Sequence, residues 1–500
     1  MALPDLIEIV PLDKPVHAEI TVPGSKSITN RALILAALAD GEVTLQGALW
    51  SEDTQIMVEC LQELGFMVNV ATDPDEICNR TITVYGQGGK VPGGGTAENP
   101  LELFVGNAGT AARFLSALVC LGKGVYRLHG VPRMHERPQK ALFKALRELG
   151  YRVDAPNDKL PAVIYGRDAV SASQKIGDGG TPSLPKKCTV SVEESSQFAS
   201  ALLLCAKVGG WKIEVTGENA EESPYVAMTS KLMEVFPHRG GKFQIEPDAS
   251  SGSYFWAAGV SLGRNNDAIE NKNESQEKSQ LCERLATYFR WGVTVVGWPK
   301  SKWQIDAFFP WRLIDTAAHS IKFGTVDEAQ VIQEYGSDWR NHPEKITTAQ
   351  KPAISRQHHL GDSIMTLAVV APFSLLPVKL IDLERLRVQE CERVVALRTE
   401  LTKCGAKVVE EGDTLTVYPS KLHGAEIETY NDHRMAMCFA ILGLKVPGIK
   451  IKNPACVKKT FPNFFQKLAA PQPKGLGAEI WEIKNGQRTR KLSGEELFAG

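Results

Sequence analysis

Almost nothing in this chain is in excess, so the first constraints come from what is missing. Lys and Arg together number 57 against 58 Asp and Glu, a formal net charge of −1. No global field therefore draws the chain to nucleic acid or to an anionic membrane, and any affinity for anions must come from local clusters. The ten cysteines form no CxxC pair and no Cys/His cluster at metal spacing, so buried, reduced thiols are expected, and no metal site. Residues 1–15, MALPDLIEIVPLDKP, lack the basic start and apolar stretch of a signal peptide. No apolar run approaches the roughly 18 residues of a membrane span. A cytoplasmic protein without membrane contact is expected. At 500 residues, 43% hydrophobic and 23% charged, the chain is too long for one ordinary core and too apolar for disorder. Two or more globular domains are expected.

What is present is a repeated grammar. Six times a small or polar turn opens a helix that is apolar almost all round: PGSKSITNRALILAAL, VGNAGTAARFLSALVCLG, ESSQFASALLLCAKVG, DASSGSYFWAAGVSLG, GDSIMTLAVVAPF and YNDHRMAMCFAILGL. Helices without a polar face are buried ones. Each is followed, roughly 25 to 30 residues after its start, by a second, amphipathic helix, five of which lead through glycine into an alternating strand, which points to six βαβα-type units. Residues 263–280 and 299–358 interrupt the pattern, and 471–500 form a charged stretch after a Pro/Gly-rich linker.

The second pattern is electrostatic. Helix starts expose free N–H groups and the positive end of the dipole, so they favour acids and anions. Yet Lys26, Arg31, Arg113 and Arg434 are read as lying in or beside the first turns of the apolar helices. Arg137, Arg393, Lys458 and Lys459 are read as lying at the starts of the amphipathic ones. In a chain of near-zero net charge this implies a compact substrate, or a pair of them, with several negative charges. Asp362 and Glu390 share that end of the units and are candidate acid/base groups, on the argument that a desolvated carboxylate shifts toward neutral pKa. Taken alone, Asp362 also reads as a helix N-cap and Glu390 as an ion-pair member. His433 reads as either a proton-handling or a packing residue. The stretch VPGSKSITNR is not a nucleotide P-loop: Ser25 stands between glycine and lysine, and position 19 is Glu rather than Gly.

With PGSKSITNRALILAALADG, LELFVGNAGTAARFL, RMHERPQKALFKALRELG, SSQFASALL, DASSGSYF, RVQECER, YNDHRMAMCF and KTFPNFF in this order over nearly residues 8–470, the chain resembles the 5-enolpyruvylshikimate-3-phosphate synthases. The resemblance implies an α/β fold, a two-domain inside-out barrel whose domains are three βαβαββ repeats each, with buried helices and the active site in the interdomain cleft. The first domain would be residues 1–22 plus 247–470 with an irregular insert at about 263–358, the second 23–246, and 471–500 an extension of no assigned role. It implies transfer of the enolpyruvyl group of phosphoenolpyruvate to the 5-hydroxyl of shikimate 3-phosphate, in a monomer, with no cofactor or metal. By motif match Asp362, Glu390 and Lys26 would be catalytic. Shikimate 3-phosphate would be held by Lys26, Ser27, Arg31, Ser195, Ser196, Tyr225, Asp362, Arg385 and Gln389. Phosphoenolpyruvate would be held by Lys26, Asn107, Gly109, Arg137, Gln197, Arg393, Arg434 and Lys459.

Four positions depart from the family pattern. Gln389 stands where Lys is usual, Arg385 where Asn is common and Glu222 where Ser is common. Phe114 stands where one branch has Pro, which leaves sensitivity to glyphosate open despite Gly109 and Thr110. A UDP-N-acetylglucosamine enolpyruvyl transferase is the nearest rival, but it needs a reactive cysteine in the loop LGKGVYRLHGVPRMHER, which has none. A catalytically silent anion-binding relative is the other alternative.

Overall fold

The computed structural model describes residues 3–14, 16–167, 186–217, 224–262, 292–313, 353–374 and 377–499. The chain divides into a contiguous unit, Pro23–Glu246, and a split unit, Met1–Val22 with Pro247–Gly500.

In the contiguous unit the helices are α1 (Lys26–Leu38), α2 (Glu52–Glu63), α3 (Gly109–Val119), α4 (Pro132–Glu136), α5 (Lys140–Glu148), α6 (Ser196–Gly209) and α7 (Pro224–Val235). Every residue of α1 from Ile28 to Leu38 is buried, and so is all of α3. Ala, Leu and Ile on all sides leave these helices nowhere to lie except between other elements. The turn into α1 depends on Gly24: a Cβ there would sit 1.9 Å from the Gly47 carbonyl oxygen, so only glycine fits. One sheet runs in the order Gly241–Gln244, Asp40–Leu49, Asn79–Gln87, Val68–Thr72. A second runs Leu101–Phe104, Val125–His129, Ala162–Tyr165, Val153–Asp154. In both the first pair is parallel and the next two pairs antiparallel.

In the split unit the helices are α8 (Ala249–Leu262), α9 (Ile364–Val370), α10 (Arg393–Lys403), α11 (His433–Gly443) and α12 (Phe464–Ala469). α9 and α11 are buried along nearly their whole length, with Phe255, Met365, Met437, Phe439, Phe461 and Phe464 in one core. A four-stranded sheet, Ile354–Ser355, Val378–Ile381, Thr414–Val417, Val408–Glu411, repeats the parallel-then-antiparallel order. A five-stranded sheet places Leu6–Ile9 between Lys450–Lys452 and Ile480–Lys484, with Gln487–Lys491 at its edge.

Residues 471–500, set apart in the sequence as a charged extension, are thus woven into the split unit. Ile480 and Leu497 are fully buried, and the charges are paired, Arg488 with Glu8 at 2.8 Å and Arg490 with Glu482 at 2.8 Å. The alternation of Ile480, Glu482 and Lys484 with Trp481 and Ile483 was masked by the polar residues around it. All nine described cysteines are free, eight buried and Cys391 half-buried. No described helix is long and apolar enough to cross a membrane, and no cluster of metal-ligating side chains occurs among the described residues.

Candidate active site

The six apolar helices begin within two residues of where the turn motifs place them, but several cations sit elsewhere than expected. Arg31 is on the second turn of α1 and Arg113 just past the first turn of α3. Arg137 lies in an extended break between α4 and α5, ahead of Pro138, and does not start a helix. Lys459 ends a 3-10 turn, Pro454–Lys459, where a cation suits the negative end of the dipole. Lys26, Arg393 and Arg434 do lie at helix starts.

In the contiguous unit two clusters form. In the first, Arg31 is only 2% exposed. Its Nε donates to Thr229 Oγ1 at 2.8 Å, Nη1 to the Ser27 carbonyl at 2.8 Å and Nη2 to Ser200 Oγ at 3.0 Å and the Tyr225 carbonyl at 3.5 Å. Phe114 and Tyr225 lie 5.3 and 5.9 Å from its guanidinium. Among the described residues no carboxylate pairs with it, and burial lowers its pKa to about 10. A buried cation that no described carboxylate neutralises is a standing attraction for an anion. Lys26, at the helix start, is held by Asp53 at 3.1 Å.

The second cluster gathers α3, α6 and the break after α4. Arg113 donates to Gln197 Oε1 at 3.1 Å and to the Pro138 carbonyl at 3.2 Å, and Gln197 donates to Thr110 Oγ1 at 3.2 Å. Arg137 donates to the Asn107 carbonyl at 3.1 Å. Gly109 is the floor: a Cβ there would lie 2.4 Å from Arg113 Nη1 and 2.6 Å from Arg137 Nη2. Ser195 caps α6 by accepting from the Gln197 N–H at 3.2 Å, and Ser196 is buried behind it. The side-chain oxygen of Asn107 is buried without a partner among the described residues.

In the split unit the site is an ionic lattice. Asp362 accepts from Arg356 Nη2 at 2.8 Å and pairs with Arg434 at 3.0 Å and Arg393 at 3.5 Å. Arg393, 1% exposed, also grips Asp432 at 2.6 Å and Glu390 at 3.1 Å, and its Nη1 donates to Gln389 Oε1. Glu390 takes Lys459 Nζ at 2.7 Å. Arg434 Nη1 donates to the Tyr254 hydroxyl at 3.4 Å. Asp432 caps α11 through the Arg434 N–H at 2.8 Å, entered through Tyr430 and Asn431, both left-handed at φ 54°.

Two expectations need correcting. Asp362 is not an N-cap, since Ser363 holds that position and the Asp362 carboxylate turns to the arginines. Nor is its pKa raised: burial pushes it up, but Arg434, Arg356 and Arg393 together outweigh burial and hold it well below the usual carboxylate range. His433 is buried and, chiefly by burial, kept neutral. Arg385 is half-buried on the turn Glu384–Val388, and Glu222 lies outside the described residues.

The sequence reading missed Asp53, Ser200, Thr229, Arg356 and Asp432 as site residues. Ser200 carried a signal, as a hydroxyl on an otherwise apolar helix, and Asp432 as an acid ahead of one. Arg356 carried none.

These motifs carry a family signature. The family model described as EPSP synthase (3-phosphoshikimate 1-carboxyvinyltransferase) matches residues 11–282 and 312–468. The chain belongs to the EPSP synthase family. The 3-phosphoshikimate 1-carboxyvinyltransferase of Trichormus variabilis is 34% identical over 490 residues, covering 93% of this chain and 98% of that one. That of Opitutus terrae is 35% identical over 505 residues, covering 95% and 100%. The fold is also that of EPSP synthase from Acinetobacter baumannii, with a TM-score of 0.57 at 19% identity, covering 95% of this chain and 100% of that one. As an EPSP synthase the chain is a transferase of the shikimate pathway, and the UDP-N-acetylglucosamine alternative is not favoured. Residues 283–311 lie between the two matched segments.

Proposed function

We propose that the residues above divide the enolpyruvyl transfer between phosphoenolpyruvate and shikimate 3-phosphate as follows. Arg31 with Lys26, Ser27, Ser195, Ser196 and Tyr225, and Asp362 with Arg385 and Gln389, serve shikimate 3-phosphate. Arg137, Gly109, Asn107 and Gln197, and Arg393, Arg434 and Lys459, serve phosphoenolpyruvate, with Lys26 shared. Asp362 accepts the proton of the 5-hydroxyl as that oxygen bonds to C2 of phosphoenolpyruvate, while the Glu390–Lys459 pair delivers a proton to the methylene carbon. The tetrahedral intermediate then loses a methyl proton to the same carboxylate and phosphate leaves. The arginines and lysines stabilise the charge that moves onto phosphate, and Lys26 assists the proton transfers.

The observation that carries this reading is Asp362 between Arg356, Arg393 and Arg434, next to the Glu390–Lys459 pair. In the free protein that field keeps Asp362 ionised, ready to accept but weakly basic. Substrate anions drawn to Arg393 and Arg434 would cancel part of the field and raise its basicity once both substrates are bound. The finer architecture belongs to the same reading: three βαβαββ repeats per domain, supported by the shared order of three four-stranded sheets, in a cytoplasmic monomer. The test is phosphate release. Phosphate should appear with both substrates together and with neither alone. Tight binding of either substrate without release would replace the enzyme with a silent anion binder.

A further inference from the structure

The segment 299–358 broke the repeat pattern in the sequence and had no function. Two of its residues converge on one catalytic candidate. Asp306, 3% exposed, accepts through Oδ1 from the Gly361 N–H at 2.7 Å and the Ser363 N–H at 3.1 Å, and also from the Ser363 hydroxyl at 2.5 Å. Its Oδ2 accepts from Ser250 of α8. It thereby holds the backbone on both sides of Asp362, and the fit is close, since a Cβ on Gly361 would lie 2.9 Å from Asp306 Oδ2. Arg356 holds the side chain: 9% exposed, it gives Nη2 to Asp362 Oδ1 at 2.8 Å, leaving Oδ2 to Arg434 and Arg393.

Arg356 is costly where it stands. Its Nε is buried with no hydrogen-bond partner among the described residues, so the charge-assisted bond to Asp362 is the contact that compensates its burial. The cation it brings is also one that Gln389 does not: Gln389 faces Arg393 as a neutral acceptor.

We infer that Arg356 is a positioning residue for the transfer reaction, fixing the Asp362 carboxylate so that one oxygen stays directed and ionised for the shikimate 3-phosphate hydroxyl, with Asp306 fixing the backbone beneath it. This rests on the role of Asp362 proposed above. Arg356 reaches Asp362 from the loop ahead of α9, Arg393 from the start of α10 and Arg434 from the first turn of α11. Behind these stand Asp432, Glu390, Lys459, Asp306, Asp248, His433 and Tyr254.

The experiment compares wild type with Arg356→Gln, Arg356→Lys and Asp362→Asn by steady-state kinetics across pH, with thermal melting as the control for folding. Arg356→Gln should lower kcat/KM for shikimate 3-phosphate at least tenfold at neutral pH. Its acid limb should move to higher pH, because the carboxylate loses one of three stabilising cations. Arg356→Lys should recover part of the rate and keep the limb near the wild-type position. If Arg356→Gln matches wild type while Asp362→Asn is inactive, the inference is wrong and the role of Asp362 stands. If Asp362→Asn retains full activity, the role of Asp362 itself falls. If Arg356→Gln is slow with an unmoved acid limb, and Arg356→Lys is no better, Arg356 only supports the fold and the inference is overturned. Should Arg356→Gln fail to fold, Arg356→Lys decides: unchanged kcat/KM for shikimate 3-phosphate refutes positioning, a loss that goes with a lowered melting temperature assigns Arg356 to the fold alone and also refutes it, and a several-fold loss with the melting temperature unchanged supports it.

Discussion

Replacing Asp432 by Asn tests the ionic lattice without disturbing its shape. Asn is as good a cap as Asp, so the bonds from the Arg434 N–H and Arg393 Nη2 to Oδ1 survive, while the carboxylate charge and the Oδ2 that accepts from Arg393 Nε at 2.6 Å are lost. Removing one partner of a fully buried pair costs roughly 3 to 5 kcal/mol. Arg393 would keep Glu390 at 3.1 Å and Asp362 at 3.5 Å, so about half of that, ~2 kcal/mol, is the expected loss. At about 2 to 4 °C per kcal/mol for a unit of this size, the melting transition of the split unit should fall by ~4 to 8 °C at pH 7. The pH dependence has a definite sign. Burial acts to raise the pKa of Asp432, but Arg393 overrides it and the net shift is downward. A depressed carboxylate contributes stability that is complete above its unfolded pKa of about 3.9 and is lost as pH falls through the folded value. The gap between wild type and Asp432→Asn should therefore be constant from neutral pH to about pH 5 and close in more acid solution. Scanning calorimetry at pH 7, 5 and 3 reads both. A shift under about 1 °C at pH 7, or a gap that widens on acidification, would refute the reasoning, since the lattice would then be worth no more than a surface pair.

Two further outcomes follow from the described contacts. Arg31→Met removes a buried cation with no carboxylate partner among the described residues, while Thr229 and Ser200 keep their mutual bond at 2.9 Å. Stability should stay within about 1 kcal/mol of wild type, while affinity for shikimate 3-phosphate, read by calorimetric titration, drops at least about tenfold. Deleting residues 471–500 unpairs Leu6–Ile9 on one side and strips Leu476, Ile480, Leu492 and Leu497 from the core. At roughly 1.5 to 3 kcal/mol per buried side chain this approaches the whole margin of a typical domain, so the truncated chain should be insoluble or melt far below wild type.

What could be read from the chain and what could not divide along physical lines. The apolar helices were legible because burial on all sides writes itself as an unbroken run of Ala, Leu, Ile and Phe, as in α1 and α3. The helix-start positions of Lys26, Arg393 and Arg434 were legible because the polar turns ahead of the helical runs fix where those helices begin. Arg137 was misplaced by the helical pattern of PQKALFKAL, when Pro138 in fact forces the residue before it out of the helix. The pKa of Asp362 was misjudged because its sign depends on three arginines reaching it from separate elements, and distance in space is not written in spacing. Arg356 and Asp306 were unreadable for the same reason: a buried charge in an irregular segment looks like any solvated one until its partner is known. The final hairpin was not legible because only Ile480–Lys484 carries buried residues, while Gln487–Lys491 is exposed throughout and its Arg488 and Arg490 pair with Glu8 and Glu482.

The place of Leu6–Ile9 in its sheet also bears on how the protein is made. Residues 23–246 leave the ribosome as one piece. The strand made before them can receive its partners only when Lys450–Lys452 and Ile480–Lys484 have been translated. At about 5 to 20 residues per second that is a delay of roughly 20 to 100 s. During it Ile7 and Ile9, fully buried in the finished sheet, ride unpaired on the nascent chain as an open strand edge. The sheet around Leu6–Ile9 is thus closed by strands translated more than 400 residues later.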